Sequence, residues 1–431
     1  MNITVVGLGK IGLPLAVQYA SSGHRVRGAD VNADTVATIN SGHEPFPGEA
    51  YLAEKLATVV SSGLLTATTD TAQAVSESDA VVVVVPLFVD DHDQPDFGWM
   101  DAATADVARG LKAGTLVSYE TTLPVGTTRN RFKPMLETGS GLAEGRDFHL
   151  IFSPERVLTG RVFADLRKYP KLVGGLSPEG AVRGVAFYQQ VLQFDERPDL
   201  PRGNGVWDLG SAEASELAKL AETTYRDVNI GLANQFATFA AEHGIDVYQV
   251  IEASNSQPYS HIHRPGIAVG GHCIPVYPRL YLFNDPAATV VRAARAANAA
   301  MPSYAVGLAA GAYGDLAGAR VAVLGAAYRG GVKETAFSGV FATVDALRAA
   351  GATVLVHDPM YTDEEIAHFG WAPYHLGDAA DVAILQADHD EYRSLAAADL
   401  PGVSVIVDGR AILDADAFPG VDVRVIGRAV R

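Results

Sequence analysis

The sequence predicts an α/β protein with two Rossmann-like domains, each a doubly wound parallel sheet, joined by a long central helix. A strand, a glycine turn, a helix and a second strand follow one another at the N-terminus, and the same layout returns in the C-terminal third. Between them lies a proline-free stretch rich in Ala, Glu and Leu. A chain of 431 residues with 48% apolar residues is long enough for two or three domains.

The N-terminal layout predicts the first domain. Residues 3–6 form a strand-like apolar run, residues 7–12 read Gly-Leu-Gly-Lys-Ile-Gly, and a helical stretch to about residue 22 precedes a strand over 24–29 that ends at Asp30. Further strand-length runs at 80–85, 115–119 and 149–152 alternate with helical patterns, which is typical of a parallel sheet covered on both faces. Prolines and glycines then cluster near residue 200, so we assign residues 1–200 to this domain.

The central region is predicted to be helical. Residues 208–243 contain no proline and only two glycines, which favours one helix of roughly 50 Å. A helix of that length can join two domains, and its Ala-rich faces can pack against a second subunit. We assign residues 205–302 to this central region and expect a homodimer or a larger homo-oligomer.

The C-terminal layout predicts a second Rossmann-like domain over residues 316–431. A strand at 320–324, a helix at 338–350 and a strand at 353–357 that ends on Asp358 repeat the opening pattern. The turn at 325–331 reads Gly-Ala-Ala-Tyr-Arg-Gly-Gly and lacks the full dinucleotide pattern. We therefore expect this domain to hold a different ligand from the first.

The glycine turn at residues 7–12 predicts a dinucleotide site. Its first glycine permits the tight turn, its second lets a pyrophosphate approach the backbone, and its third lets the helix pack on the strand. A carboxylate at Asp30 can accept from the ribose hydroxyls and would repel a 2′-phosphate, which favours NAD over NADP. The predicted cofactor-binding residues are Gly7, Gly9, Lys10, Ile11, Gly12, Asp30, Pro86 and Thr122.

Charge and cysteine content exclude several classes of partner. The formal net charge is −17, with no basic run, which argues against nucleic acid and anionic membrane surfaces. One cysteine cannot form an intramolecular disulfide. The chain opens directly on a strand, and its longest apolar run is too short to cross a bilayer, so we expect a cytoplasmic protein.

The cysteine lies in a segment that suits nucleophilic chemistry. Residues 270–275 read Gly-Gly-His-Cys-Ile-Pro, in which glycines permit close approach of a ligand and Cys273 can attack a carbonyl carbon. Two alternatives stay open. A lone cysteine is often a small buried hydrophobe, and His261, His263, His272 and Cys273 have the chemistry of zinc ligands, although we expect no metal.

Five segments together carry a resemblance to a known family. They are residues 7–12; 120–127, Glu-Thr-Thr-Leu-Pro-Val-Gly-Thr; 153–156, Ser-Pro-Glu-Arg; 216–220, Glu-Leu-Ala-Lys-Leu; and 270–275. In this order and spacing the chain resembles the UDP-glucose/GDP-mannose dehydrogenase family over nearly its whole length. Residues 325–329 with 408–410 add a weaker match.

The resemblance implies an NAD-dependent nucleotide-sugar 6-dehydrogenase, which is a four-electron oxidoreductase. The sugar's C6 alcohol would be oxidised twice, through a thiohemiacetal and a thioester on Cys273. Glu155 would be the general base for the water that hydrolyses the thioester, Lys219 would stabilise the oxyanion, and Thr122 would position water or the hydroxyl. In the plain alternatives, Lys219 is a solvated helix residue and Glu155 a carboxylate at a helix start.

The same resemblance implies the substrate site and the branch of the family. Val276 and Thr159 favour the amino-sugar branch, with UDP-GlcNAc or UDP-ManNAc as substrate and UDP-glucose or TDP-glucose as the alternative. Such uronic acids serve polysaccharide or glycoside biosynthesis. The predicted substrate-binding residues are Glu155, Arg156, Lys219, Thr223, Tyr259, Gly271, Arg329 and Arg410; of these, the two arginines of the C-terminal domain would hold the diphosphate.

Three departures from the family pattern motivate other functions. Tyr277 stands where the family usually has Asp, Thr223 where it has Asn, and Ala336 where it often has Arg. A catalytically inactive, nucleotide-binding regulatory protein is therefore one alternative. Apart from these departures, the Rossmann domain and the long helix leave open a hydroxyacid dehydrogenase, which needs one hydride transfer and no cysteine.

Overall fold

The computed structural model describes residues 1–271 and 273–429 and divides into two compact units. The first comprises Met1–Glu222 with Arg279–Asn284, and the second comprises Thr223–Pro278 with Asp285–Arg431. Each unit contains a largely or wholly parallel sheet with helices. The predicted α/β class with two Rossmann-like sheets is confirmed.

The first unit is built on an eight-stranded sheet. Its strands lie in the order β10-β9-β8-β7-β4-β1-β2-β3, and every neighbouring pair among them is parallel except β8 and β9. Strands β5 and β6 form a separate hairpin. The strands are β1 (Asn2–Val6), β2 (Arg25–Ala29), β3 (Leu65–Thr68), β4 (Ala80–Val83), β5 (Phe88–Val89), β6 (Pro95–Asp96), β7 (Leu116–Tyr119), β8 (His149–Phe152), β9 (Lys171–Gly175) and β10 (Val206–Asp208).

Helices connect these strands. Strands β4, β7 and β8 are buried along their whole length, which explains their nearly unbroken apolar sequences. The helices are α1 (Gly12–Ser21), α2 (Ala33–Asn40), α3 (Leu52–Ser61), α4 (Thr71–Ser76), α5 (Gly98–Gly110), α6 (Lys133–Ser140), α7 (Val162–Lys168) and α8 (Pro178–Val191), with a π-helical turn at Thr128–Phe132.

The long helix is present but starts later than predicted. Helix α9 spans Ala212–Glu242, whereas the sequence predicted residues 208–243. Asp208 instead ends strand β10, and Gly210 follows with a φ of +83°, which a helix does not allow. The helices α10 (Val247–Asn255), α11 (Tyr277–Asn284) and α12 (Thr289–Tyr313) come next.

The second unit contains a six-stranded, wholly parallel sheet in the order β13-β12-β11-β14-β15-β16. This order matches β3-β2-β1-β4-β7-β8 of the first unit, so both sheets share one core topology. The strands are β11 (Arg320–Leu324), β12 (Thr353–His357), β13 (Ala372–Pro373), β14 (Val382–Leu385), β15 (Val405–Asp408) and β16 (Asp422–Val425), and the helices are α13 (Val340–Ala349) and α14 (Asp363–His368).

Within residues 1–271 and 273–429, we find no helix that combines the length and the apolar character required to cross a membrane.

Candidate functional site

The glycine turn after β1 leaves one position open to a ligand. Gly7 has a φ of +91°, and a Cβ on Gly12 would overlap the Gly7 carbonyl oxygen. A Cβ on Gly9 would meet nothing within 4 Å. The protein itself therefore needs the first and third glycines, while the space over Gly9 and the start of α1 suits a dinucleotide pyrophosphate.

Asp30 lies beside this turn because β1 and β2 pair in register, Val6 opposite Ala29. Its Oδ2 accepts from the Leu8 N–H (2.8 Å) and its Oδ1 from the Asn32 N–H (2.9 Å). These bonds fix the carboxylate at the carboxyl edge of the sheet, where an NAD ribose is expected. Lys10 and Pro86 are exposed and Ile11 is half-buried. The residues present thus fit an NAD molecule.

Three charged side chains meet at the same edge of the first sheet. Glu120 follows β7 and Glu155 lies three residues after β8, so parallel pairing brings both to the carboxyl ends. Lys171 begins the antiparallel strand β9 and therefore reaches the same edge. Its Nζ lies 2.6 Å from Glu120 Oε2 and 2.9 Å from Glu155 Oε2. We call these three residues the acid–lysine cluster.

The cluster is buried, and burial changes its acidity. Tyr188 and Tyr19 both donate to Glu120 Oε1, at 2.6 and 3.2 Å. Burial raises the pKa of Glu120 to about 7, although the Lys171 ammonium acts in the opposite direction. Burial also favours the neutral form of Glu155, but the Lys171 charge outweighs it and brings the pKa of Glu155 below its usual value.

Glu155 and Arg156 are fixed by their neighbours. Glu155 lies outside any helix, so the alternative that it starts a helix is wrong. Its Oε1 accepts from the Arg156 N–H at 2.7 Å. The Arg156 guanidinium donates to Glu222 Oε2 (2.9 Å) and to the Pro170 carbonyl (3.1 Å). Both side chains therefore have defined positions, Glu155 within the acid–lysine cluster and Arg156 next to it in the chain.

Thr122 and Lys219 are also buried in the first unit. Their exposed fractions are 3% and 7%, so the alternative that Lys219 is a solvated helix residue is wrong. Glu216, one helical turn before Lys219, accepts from the Gly126 N–H (2.5 Å) and from the Thr128 N–H (3.0 Å). Helix α9 thereby holds the end of the loop that carries Thr122.

The loop before Cys273 is packed against the segment between β11 and α13 of the second unit. A Cβ on Gly270 would overlap the Tyr328 side chain, and Gly271 has a φ of +87° and lies against the Tyr328 ring. The Gly271 N–H donates to the Ala336 carbonyl (3.0 Å). The glycines are thus needed for packing on Tyr328, where the sequence had suggested close approach of a ligand. Cys273 itself is half-buried with a free thiol.

The zinc alternative involves four side chains of this region. His272 lies outside the described residues. Among the residues that the structure does describe, no group of three or more His, Cys, Asp or Glu side chains is arranged to hold a metal ion.

The remaining predicted substrate residues have different environments. Arg329 is exposed, with its Nε 3.2 Å from the Tyr328 hydroxyl. Arg410 Nε donates to the Gln386 carbonyl (2.8 Å), and its Nη2 lies 3.3 Å from the Tyr328 carbonyl oxygen. Thr223 is buried in α9, and Tyr259 is 93% exposed. The second unit therefore brings Arg410, Arg329 and the Gly271 loop together around Tyr328, with Tyr259 on a separate loop.

Two charged residues of the first unit were missed by the sequence reasoning. Glu120 belongs to the family-like segment 120–127 but received no role, and Lys171 was not considered. The only signal for Lys171 is a lysine directly before an apolar run that becomes a buried strand. Its partners depend on the antiparallel placement of β9, which the sequence pattern does not contain.

Comparison with known families covers most of the chain. The family model described as UDP-glucose/GDP-mannose dehydrogenase family, NAD binding domain, matches residues 1–192. The central domain of the same family matches residues 213–300. Its UDP binding domain matches residues 322–415.

Individual relatives and solved structures are similar along the full length. The UDP-N-acetyl-D-mannosamine dehydrogenase of Pyrococcus horikoshii is 36% identical over 426 residues, 96% of each chain. A solved structure of the UDP-D-ManNAc dehydrogenase from that organism superposes with a TM-score of 0.88 at 34% identity, covering 99% of both chains. A UDP-glucose dehydrogenase structure from Pyrobaculum islandicum gives a TM-score of 0.87 at 27% identity and covers 99% and 98%.

Proposed function

The chain belongs to the UDP-glucose/GDP-mannose dehydrogenase family, and from this premise we propose that it oxidises the C6 alcohol of a UDP-N-acetylhexosamine to the carboxylate. It is an NAD-dependent nucleotide-sugar dehydrogenase. The proposal adds the chemical route, in which one site carries out two oxidations through covalent intermediates on Cys273.

One observation supports this route most directly. A half-buried, free Cys273 lies two residues after Gly271, whose N–H donates to the carbonyl of Ala336 in the segment that matches the UDP binding domain. A cysteine intended only for packing needs neither partial exposure nor a loop fixed in this way. A nucleophile needs both.

The roles of the side chains follow from their chemistry. NAD, when bound over Gly9 and Asp30, supplies the hydride acceptor for each oxidation. Cys273 adds to the aldehyde to give a thiohemiacetal, whose oxidation gives the thioester. Lys219 offers a buried ammonium to the oxyanion, Thr122 positions water or the hydroxyl, and Glu155 takes the proton of the hydrolytic water.

The nucleotide is assigned to the second unit. An acidic chain needs fixed cations for a diphosphate, and Arg329 and Arg410 both contact Tyr328, Arg329 at its hydroxyl and Arg410 at its carbonyl oxygen. Gly271 is held against the same tyrosine. We assign Arg156, Thr223 and Tyr259 to the sugar and nucleotide contacts on the family resemblance.

Substrate choice rests on the relatives. Relatives that are 36% and 33% identical to the chain are named for UDP-N-acetyl-D-mannosamine, so we place UDP-ManNAc first and UDP-GlcNAc second. UDP-glucose is the alternative, because a UDP-glucose dehydrogenase shares the same fold. A screen of NADH formation across UDP-, TDP- and GDP-sugars tests this order. Fastest turnover of UDP-glucose would contradict it.

The covalent route is tested by two substitutions. Cys273→Ser should lower kcat by orders of magnitude, because a serine hydroxyl is a far weaker nucleophile at neutral pH. Glu155→Gln should still be acylated, so intact-mass analysis after mixing with substrate and NAD should show the sugar nucleotide on Cys273. Near-normal formation of two NADH per sugar by Cys273→Ser would disprove the route and would leave Cys273 as a packing residue.

A homodimer is the oligomeric state that we propose. Tyr225, Leu232, Phe236 and Phe239 of α9 are all more than a third exposed, and their spacing places them on one face of the helix. Light scattering during gel filtration measures the mass directly. A monomer would contradict the proposal, and Phe239→Glu should weaken a dimer formed through this face. The cytoplasmic location stays a prediction.

A further inference from the structure

The acid–lysine cluster contains more buried charge than the proposed route uses. The route needs one carboxylate, Glu155, yet the structure buries Glu120 and Lys171 with it. The side chains of Lys171, Glu120 and Glu155 are 4%, 0% and 10% exposed. Buried ionised groups are costly unless they are paired, so this arrangement calls for a reason beyond packing.

Two carboxylates share one ammonium in this cluster. With both ionised, the three side chains carry one net negative charge in a buried site. With one proton bound, they are neutral overall. Because burial penalises net charge, it favours uptake of that proton. The two coupled carboxylates therefore bind this proton as a pair.

The side chains around the cluster do not change its net charge. Tyr19 and Tyr188 face Glu120 as hydroxyl donors, and the Lys171 ammonium lies 4.9 Å from the centre of the Tyr188 ring. Nearby ionised groups are paired with one another, namely Arg156 with Glu222 and Arg161 with Asp165.

We propose that Glu120, Lys171 and Glu155 act as one base, in which Glu155 receives the proton of the hydrolytic water, Glu120 shares it, and Lys171 positions both carboxylates. This inference rests on the proposed function, in which Glu155 is the general base for hydrolysis of the thioester. Glu120 and Lys171 are positioning residues because they act through Glu155.

The proton balance of the step is complete. The water oxygen forms a bond to the thioester carbon while one of its protons passes to Glu155. The carbon–sulfur bond then breaks, and Cys273 leaves as a thiolate. The carboxylic acid product gives its proton to that thiolate, and the proton on the cluster is released to solvent. Thioester and water thus give carboxylate, thiol and one proton, without an oxidant or a reductant.

The pKa shifts of the two carboxylates agree with the roles assigned to Glu155 and Glu120. The pKa of Glu120 is raised to about 7 by burial, and that of Glu155 is held low by Lys171. Glu155 is thereby ionised at neutral pH and ready to accept a proton. A general base works best when its pKa lies close to the working pH. Glu155 paired with Lys171 alone would be too weak a base, and the second carboxylate restores the basicity of the pair.

Two substitutions should move the pH dependence in opposite directions. Glu120→Gln leaves one carboxylate against Lys171, so the acid limb of the kcat–pH profile should shift to lower pH by a unit or more. Hydrolysis should slow at least tenfold, with acylated Cys273 accumulating. Lys171→Met leaves two carboxylates without a cation, so the acid limb should shift to higher pH. Lys171→Arg should restore most of the wild-type profile.

Controls separate this role from a structural one. Glu179→Gln removes an exposed carboxylate paired with Arg183 on α8 (3.0 Å) and should leave the profile unchanged. NAD affinity should be unchanged in all variants. A uniform loss of kcat in Glu120→Gln and Lys171→Met, with no shift of the acid limb, would overturn the proposal.

An infrared titration without substrate makes the test independent of the proposed function. The wild-type protein should lose a protonated-carboxyl band near pH 7 that Glu120→Gln lacks; Glu216, which titrates in the same range, stays in both proteins and cancels in the difference. Identical titrations of the wild-type protein and Glu120→Gln would overturn the proposal that the two carboxylates share a proton. If the band is absent from Glu120→Gln but the wild-type protein turns over no nucleotide sugar, the result would support the shared proton and refute the proposed function.

Discussion

Six parallel strands lie in the same order in both sheets, yet the aspartate that follows the second strand has a different environment in each unit. Asp30 follows the second strand of the first unit, and Asp358 follows the corresponding strand of the second. Asp30 is half-buried. Asp358 is 4% exposed, and its Oδ2 accepts from the N–H groups of Ala326 (2.9 Å) and Ala327 (3.0 Å) and lies 3.1 Å from His389 Nε2.

The glycine turns differ at one position. Gly325 corresponds to Gly7 and also has a positive φ, +109°, and a Cβ on Gly330 would overlap the Asp388 carbonyl. The middle glycine of the first turn, Gly9, is replaced by the fully buried Ala327. The backbone of the fold thus requires the first and third glycines, whereas the middle glycine leaves room for a ligand.

The helix that follows each turn also differs. In the first unit α1 begins at Gly12, the third glycine itself. In the second unit α13 begins at Val340, ten residues after Gly330. A dinucleotide pyrophosphate needs a helix N-terminus directly at the turn. The comparison teaches that a shared strand order does not specify a cofactor, since the turn, the helix start and a carboxylate accessible to the ligand are all needed.

The largest expected effect contrasts the two aspartates. Asp358→Ala should destabilise the second unit by about 2–4 kcal/mol, because it leaves two buried N–H groups and His389 without their acceptor, while NAD affinity is retained. Asp30→Ala should cost about 1 kcal/mol of stability and weaken NAD binding at least tenfold. Urea unfolding and NAD titration of both variants measure this, and equal losses of NAD affinity would break the comparison.

The second prediction concerns the sign of the pH dependence of stability. Burial raises the folded-state pKa of Glu216 from 4.5 to about 7, so its share of the first unit's stability is complete below pH 4.5 and is lost as pH rises towards 7. That loss is about 3 kcal/mol at most. Glu216→Gln should reduce this dependence of stability on pH. Part of the dependence should remain, because Glu120 titrates in the same range.

The second unit should respond to pH in the opposite sense. Burial opposes ionisation of Asp358, but His389 and the N–H groups of Ala327 and Met360 outweigh it and hold the pKa of Asp358 below its ordinary value of 3.8. Its share of stability is therefore complete above pH 3.8 and is lost below that value. Hydrogen exchange measured by mass spectrometry resolves the two units, and matching pH slopes would contradict the prediction.

The smallest expected effects concern the middle position of each turn. Gly9→Ala should leave the melting temperature unchanged, because its Cβ meets no atom within 4 Å, but should weaken NAD binding several-fold. Ala327→Gly should cost about 1 kcal/mol without creating an NAD site. Calorimetry with and without NAD measures both. A lowered melting temperature for ligand-free Gly9→Ala would show that the protein itself needs this glycine.

Local patterns predicted the parts of the fold that depend on local physics. The strand, glycine turn and helix at the N-terminus were predicted because apolar period and glycine conformation are visible in the sequence. The predicted start of α9 was wrong because residues 206–208 form β10, whose pairing with β9 depends on strands distant in the chain. The tertiary contact decided that segment.

The site could be predicted only where a residue type carries its own chemistry. Glu155 and Lys219 were selected on the family resemblance, and the structure adds that both are largely buried. Lys171 was missed because its significance comes from Glu120 and Glu155, 51 and 16 residues away in the chain. The packing of Gly270 on Tyr328 was missed for the same reason, since sequence reasoning does not reveal a distant partner.

The single, half-buried thiol also determines how the protein responds to oxidants. Oxidation of Cys273 to a sulfenic acid would block the proposed nucleophile, and the chain has no second cysteine to trap that acid as an intramolecular disulfide. Recovery would then depend on an external thiol such as glutathione. Without one, further oxidation leads to the irreversible sulfinic and sulfonic acids. The same uniqueness makes Cys273 a site-specific attachment point for a thiol-reactive label in the unmodified protein.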